Sequence, residues 1–486
     1  MKTGITAWGA YLPRLRLARK SIAEANAWAA PELRRHGKGE RAMCNWDEDT
    51  LTLAVEAARD CLAGRDRATL AGVHLASTTL PFADRQNAGI VATALALPED
   101  LSTMDVSSSQ RAGVTGLAGA LAMAERSPGE LLFIAADCRS ARAGSMQELQ
   151  FGDGAAALTV GRENVVARFL GSHSVTVDFV DHYRASDREF DYTWEERWIR
   201  DEGYARIVPK AISGLLARTG LVAADFHHFI LPCVLPKVAE RLAKKAGFAE
   251  GSVADQLHAA CGETGAAHPV LMLVAALERA KPGERIAMLG FGQGCDALAF
   301  EVTEAAARLP KRAGVSGSLA RRREETNYSK YLAFNGLIER ERGKRAELDN
   351  QTALTTLYRN RGMLLGLVGG RCTACGTRQF PRSLVCVNPE CRARRSQVEC
   401  GFAETPCTIM TFSADYLTYT ADPPLHYGMV QFEGGGRFLA NFTDVDVGQV
   451  EVGQAMRMMF RIKDFDDMRG FRRYFWKAAP AATQGV

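Results

Sequence analysis

The chain has 486 residues, 47% hydrophobic and 24% charged, with 45 Gly and 17 Pro, a globular composition that excludes disordered, collagenous and repetitive classes and leaves room for about three domains. Its 60 Lys and Arg against 56 Asp and Glu give a net charge of +4, too even for a dedicated nucleic-acid or membrane-surface binder. No apolar run reaches the ~18 residues of a membrane span, and MKTGITAWGAYLPRLRLARK lacks the apolar core of a secretion signal, so the sequence predicts a cytoplasmic protein without membrane or nucleic-acid partners.

Residues 1–308 alternate short apolar runs with Ala-rich helical patterns, the rhythm of a layered α/β fold. A helix is predicted after Trp46: Asp47, Glu48 and Asp49 offer a cap and an acidic first turn, and Leu51, Val55, Ala58 and Leu62 recur at helical spacing. Buried strands are predicted at 72–76, 131–136, 229–231 and 286–290. The order of elements repeats. Residues 120–137 (ALAMAERSPGELLFIAAD) recur in type at 273–290 (LVAALERAKPGERIAMLG), and 72–81 are echoed by 226–236. This duplication predicts two halves, 1–165 and 166–308, as a pseudo-twofold pair of sheets. Residues 309–351 are charged and aperiodic and read as a linker with short helices. A segment at 352–397 carries a helical stretch to Leu367 and a cysteine cluster. In 398–486, strand patterns at 408–412, 428–432, 437–442 and 456–462 predict a small β-barrel and a C-terminal tail. The stretch 433–437 (EGGGR) is a hairpin turn, since it lacks the Lys and Ser/Thr of a phosphate loop.

Of the 12 cysteines, Cys372, Cys375, Cys386 and Cys391 form two close pairs. Paired thiolates on tight knuckles suit a structural, tetrahedral zinc ion better than a disulfide framework, free or redox-active thiols being the alternative. Cys400 and Cys407 fall in strand patterns and belong to the core.

Two turns in the first half carry candidate chemistry. Gln110-Arg-Ala-Gly opens one apolar helix and Glu263-Thr-Gly-Ala opens its counterpart in the repeat. Helix starts stabilise negative charge through unpaired N–H groups, and two such ends can converge on one pocket; ordinary capping is the competing reading. Gly292 and Gly294, beside Cys295 and Asp296, offer backbone N–H groups to an oxyanion or cofactor, or form a plain turn. Cys295, Cys261 and Cys138 are candidate thiols, with inert burial as the alternative. His182, between Asp181 and Arg184, is the leading histidine, and His258 and His268 flank the Glu263 loop.

The stretches CNWDEDTLTLAVEAARDCL (44–62), DVSSSQRAGVTGL (105–117), FGDGAAALTVG (151–161), GETGAAHPVLMLVAALERAKPGERI (262–286) and FGQG (291–294) resemble hydroxymethylglutaryl-CoA synthases and the related ketoacyl carrier protein synthase III enzymes of the thiolase superfamily. GGRCTACGTRQFP (369–381) and GFRRYFWKAAP (470–480) resemble the zinc ribbon fused to an OB fold that accompanies thiolase-like enzymes. The resemblance implies a duplicated five-layer αβαβα fold followed by a zinc ribbon and an OB-fold barrel. It also implies zinc as a structural cofactor, coenzyme A as part of the substrate, a homodimer and a possible partner thiolase. The family's nucleophilic Cys falls on Gln110, its general base Glu on Thr78, its assisting His on Pro232 or Cys233, and its loop Asn on Glu263. Glutamine forms no thioester. The expected activity is therefore carbon-carbon bond cleavage or formation on a β-hydroxy or β-oxo acyl-CoA (retro-aldol, retro-Claisen or decarboxylation) with Gln110, Glu263, His182 and Cys295 as catalytic candidates. The alternatives are an acyltransferase with a relocated nucleophile and a non-catalytic acyl-CoA-binding scaffold.

Overall fold

The computed structural model describes residues 3–341 and 351–481; residues 342–350 of the expected linker and 482–486 of the expected tail lie outside the described residues. Contacts divide the chain into two units. The first takes the described residues up to Asn45 together with Asp49–Gly89 and Glu99–Leu337, and the second takes the described residues from Ile338 onward together with Trp46–Glu48 and Ile90–Pro98. Among the described residues no helix is long and apolar enough to cross a membrane.

The strands of the first unit are β1 (Gly4–Tyr11), β2 (Leu15–Ala18), β3 (Glu40–Met43), β4 (Leu70–Ala76), β5 (Ser102–Val106), β6 (Glu130–Cys138), β7 (Asp153–Gly161), β8 (Ala167–Thr176), β9 (His182–Tyr183), β10 (Tyr192–Thr193), β11 (His228–Ile230), β12 (Arg285–Phe291), β13 (Gly294–Val302) and β14 (Arg323–Glu325). Nine of them hydrogen-bond in the order β11-β12-β13-β8-β1-β7-β6-β4-β5. The expected pair of sheets is thus continuous: its halves join where Gly4 and Ile5 of β1 pair with Arg168 and Ala167 of β8. A Cβ at Gly4 would collide with the Ala167 carbonyl, so the junction requires glycine there.

Packing supplies five layers. The helix Thr50–Cys61 lies on β1, β6 and β7; the helices Ala112–Ala124 and His268–Leu277 pack on each other and on strands of both halves; the helix Ala205–Thr219 covers β8 and β13. All ten residues of His268–Leu277 are buried, as a helix that is apolar on every side after His268 must be between two sheet faces. One core holds Leu117, Leu121, Phe133, Leu273 and Met288, and a second holds Ile212, Leu215, Phe226, Phe229 and Cys295. Each large apolar side chain buried there contributes roughly 1.5–3 kcal/mol.

Two expectations change. Asp49 alone caps the helix Thr50–Cys61, accepting from the Leu51 and Thr52 amides at 3.0 Å each, whereas Asp47 and Glu48 belong to the second unit. The linker does not begin at 309: the helices Gly314–Ala320 and Tyr328–Phe334 and strand β14 belong to the first unit. Val315, Ser318 and Tyr331 are buried, and β14 pairs with β2.

In the second unit Asn360 separates two short helices, Leu354–Arg359 and Arg361–Leu365, where the sequence predicts one longer stretch. Strands β15 (Val368–Cys372), β16 (Arg378–Gln379) and β17 (Gln397–Gly401) make a three-stranded ribbon, and β18 (Cys407–Asp415), β19 (Leu425–Phe432), β20 (Arg437–Asn441), β21 (Ala455–Asp466) and β22 (Phe471–Pro480) follow. The last five run β20-β19-β18-β21-β22, and a bridge from Phe442 to Ala478 brings the edges together into a barrel. Asp47 is stitched into it. Its carboxylate meets Lys477 Nζ at 2.8 Å, its carbonyl accepts from the Ile462 amide at 2.8 Å, and Glu48 pairs with Arg461 at 3.0 Å.

Candidate active site

The helix Ala112–Ala124 begins close to the turn that leads into His268–Leu277. Gly113, in the first turn of Ala112–Ala124, leaves no room for a Cβ because the Ala266 carbonyl lies against it. Gln110 and Glu263 both face one cavity of about 450 Å3 in the first unit, with Arg139, His182, Trp194 and Cys233. The rest of the wall is largely apolar, including Phe151, Ile199, Tyr204, Val234 and Phe291.

Arg139 organises the polar end. It stands one residue beyond β6 and is 3% exposed. Its Nη1 donates to Glu263 Oε2, its Nη2 donates to Asp191 Oδ2 at 2.5 Å, and its guanidinium lies 3.6 Å from the Phe151 ring centroid. Oriented so that both ends of its amide are satisfied, Gln110 accepts through its side-chain oxygen from Arg139 Nη1 and Nη2 at 2.6 Å and from His182 Nε2 at 3.2 Å. His182 Nδ1 faces Asp181 Oδ2 at 3.0 Å. Asp191 also accepts from Arg184 Nη1 at 2.7 Å. Burial alone would lower the Arg139 pKa, and Glu263 and Asp191 more than offset it. Burial likewise acts to raise the Asp191 pKa, but the two guanidiniums hold it below the ordinary carboxylate range.

A buried carboxylate beneath this layer ties the turns together. Asp137, fully buried, accepts from the Ser77 hydroxyl at 2.8 Å, the Thr78 amide at 2.7 Å, the Thr79 hydroxyl at 2.8 Å and the Ala266 amide at 2.7 Å. Burial nonetheless pushes its pKa upward.

Several expectations are corrected here. Glu263 does not open a helix: it forms a bridge with Phe151, and the helix His268–Leu277 starts after one 3-10 turn, Gly265–Ala267. The N–H groups of that turn are already engaged, Gly265 by Glu263 Oε1 at 2.8 Å and Ala266 by Asp137, so they are not the oxyanion donors the sequence suggests. The Gly292 amide donates to the Gly294 carbonyl at 3.0 Å, and Gly290 and Phe291, rather than Gly292 and Gly294, line the cavity. Cys295 is fully buried in the core under the helix Ala205–Thr219, and burial pushes its thiol well up. His268 is buried and structural: Nδ1 accepts from the Thr264 amide at 3.1 Å, which leaves Nε2–H to donate to the Gln256 carbonyl at 2.8 Å. Cys233 does line the cavity, with its thiol raised by burial to about 12. Sequence reasoning missed Arg139, Asp191 and Asp137. The signal for two of them was present, since Asp137 and Arg139 close the apolar run LLFIAA with charges.

The cysteine cluster of the second unit fits its metal. All four Sγ atoms lie within 4.8 Å of one another, with Cys372–Cys391 at 3.9 Å and Cys375–Cys386 at 3.6 Å. A tetrahedron with Zn–S bonds of about 2.3 Å sets S···S near ~3.8 Å. Cys372, Cys375, Cys386 and Cys391 thus form a structural zinc site, closed by four protein ligands.

Five layers around this cavity, followed by a four-cysteine ribbon and a barrel, define a thiolase-like enzyme carrying a zinc-ribbon and OB-fold region. Residues 216–302 match the model of the 3-oxoacyl-[acyl-carrier-protein] synthase III C-terminal domain, 364–397 the ChsH2 rubredoxin-like zinc ribbon domain, and 407–461 the ChsH2 C-terminal OB-fold domain. The chain is 31% identical over 342 residues to the hydroxymethylglutaryl-CoA synthase of Aeropyrum pernix, covering 69% of this chain and 94% of that relative. It is 30% identical over 345 residues to that of Methanocaldococcus jannaschii, covering 69% and 99%. A crystal structure of HMG-CoA synthase complexed with CoA superposes with a TM-score of 0.61 at 18% identity, over 72% of this chain and 95% of that one. The 3-oxoacyl-(acyl carrier protein) synthase III of Pseudomonas aeruginosa superposes with a TM-score of 0.54 at 22% identity, over 62% and 98%; both confirm the fold. The chain belongs to the hydroxymethylglutaryl-CoA synthase family and is a thiolase-superfamily enzyme.

Proposed function

We propose that the enzyme makes or breaks a carbon-carbon bond of a β-hydroxy or β-oxo acyl-CoA without an acyl-cysteine intermediate. The observation that carries this reading is Gln110 at the head of the cavity, its side-chain oxygen held by Arg139 and His182. With that oxygen anchored, the amide N–H2 is the end of Gln110 that faces acceptors, and a bound thioester oxygen is the acceptor assigned to it, where developing negative charge gains from a preorganised donor. Glu263, fixed across Arg139, is the acid/base group, and His182, oriented by Asp181, is a second proton carrier. Thiols are poor rivals. Burial raises Cys138 to about 11 and Cys233 and Cys261 to about 12, which leaves almost no thiolate at neutral pH.

The test is a panel of β-hydroxy and β-oxo acyl-CoA thioesters incubated with the protein and followed by intact-mass and product mass spectrometry. Turnover with no acyl adduct supports the reading. A stable acyl group on a cysteine overturns it in favour of an acyltransferase with a relocated nucleophile, for which Cys233 is the residue to inspect because it lines the cavity. Binding without turnover of any thioester supports a scaffold for a partner thiolase. Family membership also supports a homodimer, which light scattering at micromolar concentration checks.

A further inference from the structure

In the first unit Cys61, Cys233, Cys261 and Cys295 are buried, whereas Cys44 and Cys138 keep partial exposure. These two meet: their Sγ atoms lie 3.2 Å apart, although 94 residues separate them in the chain. The contact is held from the backbone on both sides. Cys138 ends β6, where it stands opposite Asp153 in the register of β6 and β7, and its amide donates to the Thr79 hydroxyl at 3.0 Å. Cys44 follows β3, and its amide donates to Asp153 Oδ2 at 2.8 Å.

Asp153 is common to both anchors, and one of its carboxylate oxygens lies within 4.8 Å of both sulfurs. Burial raises the Asp153 pKa, with Arg41 and the Cys44 amide acting against it, which makes the carboxylate a better proton acceptor. Burial raises the Cys138 thiol to about 11, so that sulfur is slow to ionise by itself and the first attack falls to Cys44.

We propose that Cys44 and Cys138 are an oxidisable dithiol that hydrogen peroxide closes into a disulfide. In the first step the Cys44 sulfur attacks one peroxide oxygen: an S–O bond forms, the O–O bond breaks, and hydroxide departs as water with the Cys44 proton, relayed by Asp153. In the second the Cys138 sulfur attacks the Cys44 sulfur, the S–O bond breaks, and the hydroxide leaves as water with the Cys138 proton. Two thiols are oxidised and one peroxide is reduced to two waters. Closure draws the sulfurs from 3.2 Å to about 2.05 Å. Cys138 stands between Asp137, which ties the Ser77 and Ala266 turns together, and Arg139, which holds Gln110 and Glu263. Closure thus acts on the strand end that carries both, and a misplacement of about 1 Å in a catalytic geometry can cost ~10²-fold in rate. This coupling to turnover rests on the acyl-CoA reading above, and the dithiol itself does not.

Peptide mapping tests the pair directly. The zinc-loaded full chain, treated with hydrogen peroxide, alkylated and cut with trypsin, should give peptide 42–59 joined to peptide 127–139, each carrying one cysteine, and dithiothreitol should release them. Cys44→Ser, shown to be folded by its melting curve, should give no such linked peptide, and Cys138→Ser carries the comparison if Cys44→Ser does not fold. Absence of the linked peptide in wild type, or oxidation of Cys44 to a sulfinic acid while Cys138 is still alkylated, overturns the dithiol. So does a second zinc ion in untreated wild type that Cys44→Ser loses, because Cys44, Cys138 and Asp153 would then be a metal site. With an acyl-CoA thioester that the enzyme turns over, peroxide should lower the wild-type rate at least tenfold, reversibly with dithiothreitol, and leave Cys44→Ser within about twofold of its untreated rate. A linked peptide with unchanged turnover removes the coupling and keeps the dithiol. A linked peptide in a protein that turns over no thioester keeps the dithiol while the acyl-CoA reading falls.

Discussion

The ribbon cysteines and the cysteines of the first unit use one side chain in opposite ways. Cys372, Cys375, Cys386 and Cys391 converge within 4.8 Å, so a metal ion can hold the segment. Cys61, Cys261 and Cys295 instead sit fully buried among apolar residues, where desolvation of a thiolate pushes each pKa up. One set binds because it is gathered and the other is inert because it is buried. At the polar end of the first unit's cavity the charges are instead paired, Arg139 with Glu263 and with Asp191.

The largest expected effect is on the ribbon. Cys375→Ser should take zinc content from one ion per chain to none, and chelation should unfold the 364–397 segment, since structural zinc supplies roughly 10–16 kcal/mol of apparent binding energy to such sites. Metal analysis and circular dichroism read this. Full zinc content in the variant would break the contrast.

At the paired charges, Glu263→Gln should lower turnover about 10² to 10⁴-fold and Gln110→Ala about 10² to 10³-fold, both with acyl-CoA binding retained. Steady-state kinetics and calorimetry separate the two effects. Arg139→Leu leaves Glu263 and Asp191 without their partner and should cost stability by ~3–5 kcal/mol, visible in denaturant unfolding. Full activity in Glu263→Gln would remove that residue from the chemistry without touching the fold.

Asp191 gives a smaller, pH-dependent effect. Arg139 and Arg184 hold its folded pKa below the ordinary value, which is ~3.9 for an unfolded chain. Its contribution to stability is therefore full above that value and is lost as pH falls through the lower folded pKa. The difference in unfolding free energy between wild type and Asp191→Asn should be constant near neutrality and shrink under acid conditions. A difference that grows on acidification would mean that the pair is not formed.

The helix-strand order, the duplication, the ribbon and the barrel strands were legible because each follows from local periodicity or spacing. Strands predicted at 131–136 and 286–290 fall inside β6 and β12, and the turn at 433–437 joins β19 to β20. Gln110 and Glu263 do line one cavity, although the helix start that suggested this for Glu263 is not formed at that residue. What stayed hidden depends on long-range pairing. Arg139 meets Asp191 across 52 residues, and Asp47 leaves its local cap for Lys477 across 430, distances at which no sequence window carries a signal. The helix-start donors failed for a related reason: Asp137 and Glu263, rather than a ligand, occupy the Ala266 and Gly265 amides.

The smallest effect belongs to Cys295. Its position one residue after the Gly292–Gly294 turn gave it a catalytic reading, yet β13 pairs it with Phe291 and directs it into the core beneath the helix Ala205–Thr219. Desolvation raises its thiol well above the ordinary range, so at neutral pH it is neither nucleophile nor base. Cys295→Ala removes one buried sulfur and should cost about 1 kcal/mol through the small cavity left behind, less than a larger side chain would. Turnover and acyl-CoA affinity should stay within about twofold of wild type, well short of the tenfold that 1.4 kcal/mol of lost interaction would produce. Denaturant unfolding and kinetics on the same preparation read both numbers. A loss of turnover beyond tenfold with an unchanged unfolding midpoint would place Cys295 in the chemistry and break the division between gathered and buried cysteines.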